Sequence, residues 1–127
     1  MAIAIDSVTG DLLAKALDVS MQMHRVIANN VANVNTEGYQ PLKVDFAGLM
    51  EAVASQVKSH SSEESLREAI RDIDVSQHVY VDPSQDKVQL ERQMAEMAQN
   101  TLRYQALVDA DKSLDSIMKM AIEGGKV

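Results

Sequence analysis

Two long stretches of helically spaced apolar residues, one near each end of the 127-residue chain, constrain its fold more than any other feature. From about Ser7 to Val34, the residues Leu13, Leu17, Ser20, His24, Ile27, Val31 and Val34 follow alternating steps of four and three. A second stripe of Leu12, Ala16, Val19, Met23 and Val26 runs beside it. Two adjacent stripes make a wide face, able to touch more than one partner helix at once. The start of this helix is blurred, because Asp6, Ser7 and Thr9 all suit a cap and Gly10 costs about 1 kcal/mol inside a helix. The second pattern runs from near Lys87 to Glu123, with Asp86 and Gln89 as a capping pair and Gly124-Gly125 as a stop. Leu90, Met94, Met97, Thr101, Tyr104 and Val108 keep heptad steps, and Leu107, Ala110, Leu114, Ile117 and Ala121 then carry the face one residue out of phase. Such drift is expected of a helix that leaves one neighbour and meets another. At 1.5 Å per residue the two predicted helices are about 40 Å and about 55 Å long.

The middle has a different character. Phe46, Leu49, Met50, Val53 and Val57 are spaced as a short amphipathic helix, Lys58 to Ser65 is polar and loop-like, and Ser61 with Glu64 suits the cap of a brief helical turn through Leu66, Ile70 and Ile73. His78 to Val81 reads as a short strand closed by the turn Asp82 to Asp86. This segment has no core of its own, no repeat and no low-complexity tract. The predicted fold is therefore all-α: two long N- and C-terminal helices paired as a coiled-coil-like hairpin, around a short irregular middle with a short helix and a brief β element. Its segments are 1–40, 41–86 and 87–127, in a single structural unit. Such a hairpin buries one stripe from each helix and leaves the second stripes wet, and chains of this size bury only about two-thirds of their surface on folding. Other subunits are expected to complete it.

Composition removes several function classes. The net charge is -7 and the 12 Lys and Arg are scattered, so no counterion-releasing surface for nucleic acid is visible. No apolar run approaches the roughly 20 residues that cross a bilayer, and the N-terminus lacks the basic and apolar regions of a cleaved signal peptide, so neither direct membrane insertion nor export by a cleaved leader is expected. There are no cysteines, which excludes thiolate chemistry. His24, His60 and His78 fall on a helix face, a loop and an extended segment, without the spacing of a metal site. His24 reads as a polar residue at a helix interface that fixes register. The carboxylates Glu63, Glu64, Asp72 and Asp74 read as solvated faces, and Met94, Met97 and Met118 read as packing residues. No phosphate loop or nucleophile motif occurs. No enzyme and no cofactor are expected.

One stretch resists these readings: ANNVANVNTEGYQP, residues 28–41. Asn29, Asn30 and Asn33 fall on the last turns of the first helix, and Asn35 follows it. Such amides can bond carbonyls that lose their helical partners, and Gly38 can take positive φ before Tyr39, which together make a helix stop. One glycine would suffice for that. Amides repeated on a wide apolar face also describe a polar contact with a neighbouring chain, where each lost buried hydrogen bond costs about 1 to 3 kcal/mol.

At these residues the chain resembles the bacterial flagellar basal-body rod and hook proteins. Their N-terminal signature falls on Asn30, Val31, Ala32, Asn33, Val34, Asn35, Thr36, Glu37, Gly38 and Tyr39. The C-terminal VQLERQMAEMAQNTLRYQALV is similar to the other half of that signature, with Glu91, Met94, Met97, Asn100, Tyr104, Gln105 and Ala106 on matching positions. Glu37 stands where Pro is common, Asn35 where Asp is common, and Gln89 where an acid often precedes Leu90. The short middle, with no inserted domain, points to the proximal members of the rod.

The resemblance implies a structural rod subunit whose paired terminal helices pack helically with like subunits around a central channel and transmit torque. It implies contacts at Asn29, Asn30, Val31, Asn33, Asn35, Thr36, Gly38, Tyr39, Leu90, Met94, Met97 and Tyr104. Implied partners are other rod proteins, the hook-basal-body junction protein, the motor ring and the export gate. It further implies unfolded export through the flagellar type III apparatus to the periplasmic rod. Phe46-Ala-Gly-Leu-Met50 has the form of the family's export-gate motif, Phe-x-x-x-apolar; anchoring the short amphipathic helix is the other reading of Phe46. The rival class is a cytosolic helical adaptor or chaperone, which would leave the asparagine cluster unexplained.

Overall fold

The structure, a computed structural model, describes residues 2–124, with the side chains of residues 2–7 excepted. Two long helices, α1 (Ala2–Ala32) and α4 (Leu90–Gly124), run antiparallel as a hairpin. Between them in sequence come β1 (Leu42–Val44), α2 (Phe46–Ser59), α3 (Glu63–Arg71), a 3-10 turn (Val75–His78) and β2 (Val79–Val81). The helix of α1 runs through Asp6, Ser7 and Thr9, so none of the expected caps starts it. α4 begins three residues later than Lys87: its first backbone bond runs from Gln93 N to Gln89 O, which makes Gln89 the residue at the cap. It extends through Gly124, and Gly125 of the expected stop lies outside the described residues.

Each short element of the middle has a local cause. The Asp45 carboxylate opens α2 by accepting from Gly48 N at 2.9 Å, and a Cβ on Gly48 would run into that carboxylate. Ser62, one residue beyond the expected Ser61, caps α3 by accepting from Ser65 N at 3.3 Å. Asp74 caps the 3-10 turn through Ser76 N. β2 forms where the sequence predicts a strand, and its partner β1 is an addition to the expected fold. The pair is antiparallel with Leu42 opposite Val81 and Val44 opposite Val79, flanked by bonds from Asp82 N to Pro41 O (2.8 Å) and Asp45 N to His78 O (2.6 Å).

The middle segment also packs better than expected. Val19 and Val26 of α1 share one buried cluster with Val44, Leu49 and Val75, with Met23, Leu42, Ile73 and Val79 around it. α3 is pinned to α1 by the fully buried Ile70, by the Arg67–Asp11 ion pair at 2.9 Å, and by Lys15 Nζ, which donates to Arg71 O and Ile73 O where α3 runs out of helical partners. The expectation that second stripes stay wet therefore fails for α1, whose second stripe lies under the middle segment. It holds for α4, on which only Gln93 and Asn100 are fully buried among the described residues.

That last observation corrects the predicted seam. The row of α4 that meets α1 is Gln93, Asn100, Leu107 and Leu114. Gln93 bonds Asn30, Asn100 bonds Ser20, Leu107 is half-buried, and Leu114 lies over Gly10. The expected residues Leu90, Met94, Thr101 and Tyr104 lie beside this row and are exposed, while Met97 and Val108 are half-buried. Polar side chains can hold core positions when each finds a partner across the interface, and a pattern that counts only apolar residues does not register them. His24 is exposed, so it does not fix register from inside the seam.

Candidate functional site

α1 ends in a polar knot centred on Asn30, which is 1% exposed. Its Oδ1 accepts from the Tyr39 hydroxyl and from Leu42 N, both at 2.9 Å. Its Nδ2 donates to Leu42 O at 2.9 Å and to Gln93 Oε1 at 3.1 Å. Two acceptor sites and two protons are thus all used, and each lies inside the chain. Asn30 has no capacity left for a neighbouring subunit, contrary to the contact expected of it. Partial burial holds the Tyr39 phenol above its ordinary pKa.

The other amides finish the helix. Asn33 Nδ2 donates to Asn29 O at 2.8 Å, and Asn33 Oδ1 accepts from the Thr36 hydroxyl at 3.1 Å. Backbone bonds from Thr36 N to Asn33 O and from Tyr39 N to Thr36 O continue the turn, and Gly38 takes φ +78°. The helix-stop reading is what these local bonds build. Asn29, Asn35, Thr36 and Gly38 nevertheless remain exposed, with Val31, Asn33 and Tyr39 half-buried. This loop and the approach to α4 at Asp86 and Lys87 line an open cleft of about 460 Å³.

The second candidate surface is the outer side of α4, where Leu90 (47% exposed), Met94 (56%) and Tyr104 stand beside the seam and Ile122 lies further along in similar helical phase, while Ile117 and Met120 are exposed in a different phase. On α2, Phe46 and Met50 are both about half exposed, so Phe46 is not a core anchor for that helix. Sequence reasoning missed Gln93 and the bonding roles of Ser20 and Asn100. The available signal was their placement: polar residues seven apart on one helix, opposite polar residues ten apart on the other.

Among the described residues no group of His, Asp and Glu could hold a metal ion, and no helix is long and apolar enough to cross a membrane. The arrangement offers hydrogen bonds, apolar area and a rigid frame, and it defines a helical-hairpin structural subunit. Comparison with known proteins agrees. The model of the flagella basal body rod protein family matches residues 25–40, which is the asparagine knot and its loop. The chain is 30% identical over 104 residues to the flagellar basal body rod protein FlgB of Yersinia ruckeri, covering 72% of this chain and 76% of that protein. It is 29% identical over 125 residues to FlgB of Bacillus subtilis (strain 168), with 90% and 92% covered, and 28% identical over 125 residues to FlgB of Salmonella typhimurium, with 87% and 90% covered. No solved structure matches. The chain belongs to the flagellar basal body rod proteins, as a FlgB-like structural subunit of the proximal rod.

Proposed function

We propose that the chain works only as part of a helical stack, packing with its own copies and with other rod proteins around the export channel and carrying torque through shared helix contacts. It performs no chemistry in this role. The observation that carries the reading is the bare apolar row of α4: a monomer rarely leaves so many large apolar side chains exposed along one helix unless a partner covers them. Met94, Leu90 and Tyr104 supply the apolar contact, with Met97 at its edge. Asn29, Asn33, Asn35, Thr36 and Gly38 supply a polar rim, backed by Val31 and Tyr39. The three segments act as one unit, since the middle braces α1 while α4 faces outward. The neighbours at the two ends are the hook-basal-body junction protein and the motor ring with its export gate. Export proceeds unfolded through the flagellar type III apparatus, and Phe46 and Met50 serve the gate.

The test is Met94→Asp, a change at a position already 56% exposed. The purified variant should keep its helical circular dichroism and melting profile, yet cells carrying it should lack complete rods and be non-motile, with the variant still secreted. Normal rods and motility would refute the interface.

A further inference from the structure

The Asn30 side chain does something more specific than end a helix. In the β1–β2 pair the flanking bonds fall at Pro41–Asp82 and Asp45–His78, so the main-chain N–H and C=O of Leu42 point to the opposite edge of β1. On that edge the Asn30 carboxamide meets both groups: Oδ1 accepts from Leu42 N and Nδ2 donates to Leu42 O, each at 2.9 Å. A side-chain amide thus takes the place of one residue of a third strand. Only one orientation of it works, because a flipped amide would set its oxygen against the carbonyl of Leu42 and its NH2 against the Leu42 N–H. That orientation is fixed from two sides. The Tyr39 hydroxyl donates to Oδ1, and Gln93 Oε1, on α4, takes the second proton of Nδ2 at 3.1 Å. Gln93 is 1% exposed and sits at the first full turn of α4.

We propose that Gln93 is a positioning residue through which closure of the α1–α4 hairpin sets the β1–β2 ribbon: docked α4 orients the Asn30 amide, and the oriented amide templates the edge of β1. Before α4 docks, Asn30 is free to rotate and Leu42 has no partner on that edge. Ordering of the loop at residues 33–40 and of the ribbon then follows from hairpin closure as a single step. The coupling lies within one chain and does not depend on the rod reading.

The second buried polar layer supplies the control. Asn100 and Ser20 are also 1% exposed and also join α4 to α1, with Ser20 Oγ donating to Asn100 Oδ1 at 3.0 Å, but neither touches Asn30. Residue-resolved amide hydrogen exchange on the full chain would compare Gln93→Met, which removes the acceptor at similar size, with Asn100→Met. In Gln93→Met the amides of Leu42, Asp45 and Asp82 should exchange about tenfold faster or more, relative to amides in the middle of α1, as expected for loss of one buried bond. In Asn100→Met the same amides should keep their protection relative to α1. Equal acceleration in both variants would mean that the ribbon merely senses hairpin stability, and no acceleration in Gln93→Met would mean that Tyr39 alone orients the amide; either result overturns the proposal. Should Gln93→Met lose its fold, Gln93→Asn, which shortens the reach to Nδ2, is read in the same way.

Discussion

The Ser20–Asn100 layer can be taken apart by a double-mutant cycle whose outcome is not what a tally of hydrogen bonds suggests. Both residues are 1% exposed, and they share two bonds, Ser20 Oγ to Asn100 Oδ1 at 3.0 Å and Asn100 Nδ2 to Ser20 O at 2.9 Å. Ser20→Ala leaves the buried Asn100 Oδ1 without its donor and should cost about 1 to 3 kcal/mol. Asn100→Leu strands less, because the Ser20 hydroxyl can turn back to a carbonyl of its own helix and the Ser20 carbonyl keeps its helical bond; about 0 to 1 kcal/mol is expected. The double variant leaves nothing unpaired. It gives up net hydrogen bonding worth about 1 kcal/mol per bond and gains the burial of a Leu side chain, about 1.5 to 3 kcal/mol, so its stability should lie within about 1 kcal/mol of the wild type. Urea unfolding followed by circular dichroism at 222 nm (~the usual helix band) yields the four corners of the cycle. A double variant as damaged as the sum of the singles would refute the reasoning, since the layer would then contribute net stability. Sedimentation velocity on the double variant tests the complementary expectation that an all-apolar layer loses register specificity and self-associates in mixed states.

Gly10→Ala should stabilise the chain by about 0.5 to 1 kcal/mol in the same urea assay, because among the described residues the added Cβ meets nothing closer than Leu114 Cδ2 at 4.0 Å and glycine weakens a helix interior; an unchanged or lower midpoint would mean that α4 packs too closely there to leave room for a Cβ. Asp82 is held at a pKa of about 2, below the ordinary 3.8, by the Ser84 hydroxyl, then the Ser84 amide and the Gln85 side chain. Its folded value is depressed, so its contribution is present above about pH 4 and is lost as pH falls through about 2. Asp82→Asn should flatten the fall of stability in that window, and an identical slope in wild type and variant would refute the assignment. Phe46→Ala should cut secretion of the chain while leaving its melting temperature nearly unchanged, since the ring is 51% exposed; full secretion would remove the gate role.

The hairpin, its two long helices and the short helices of the middle were legible because apolar spacing reports directly on burial. The strand at residues 79–81 was legible from its β-branched and aromatic residues, whereas β1 was not. Three residues, Leu42-Lys43-Val44, carry almost no periodic signal, and what makes them a strand is a partner 35 or more residues away and an amide twelve residues back. The face of the first half of α4 was misplaced for a related reason, whereas Leu107 and Leu114 lie on the row expected of them. Met94 and Tyr104 look like core residues and Gln93 and Asn100 do not, until Ser20 and Asn30 are seen opposite them. Caps were legible to within one residue at Ser62, where Ser61 and Ser62 are chemically equivalent and only the bond to Ser65 N distinguishes them. The importance of the asparagine cluster was legible, but its division into inward and outward members was not, because Asn29, Asn30 and Asn33 differ in helical phase and not in chemistry.

The two buried polar layers have a mechanical meaning. Ser20 and Asn30 are ten residues apart on α1, about 15 Å along the axis. A purely apolar seam resists separation of its helices but lets one slide past the other, since a slipped seam presents similar greasy surface at every turn. Here a slip of one turn would have to break both layers together and press unpaired amides against Leu and Ile. The hairpin can therefore be modest in stability yet stiff in shear, like a shaft coupling held by two keys: under axial or twisting load its helices are more prone to bend together than to creep past each other.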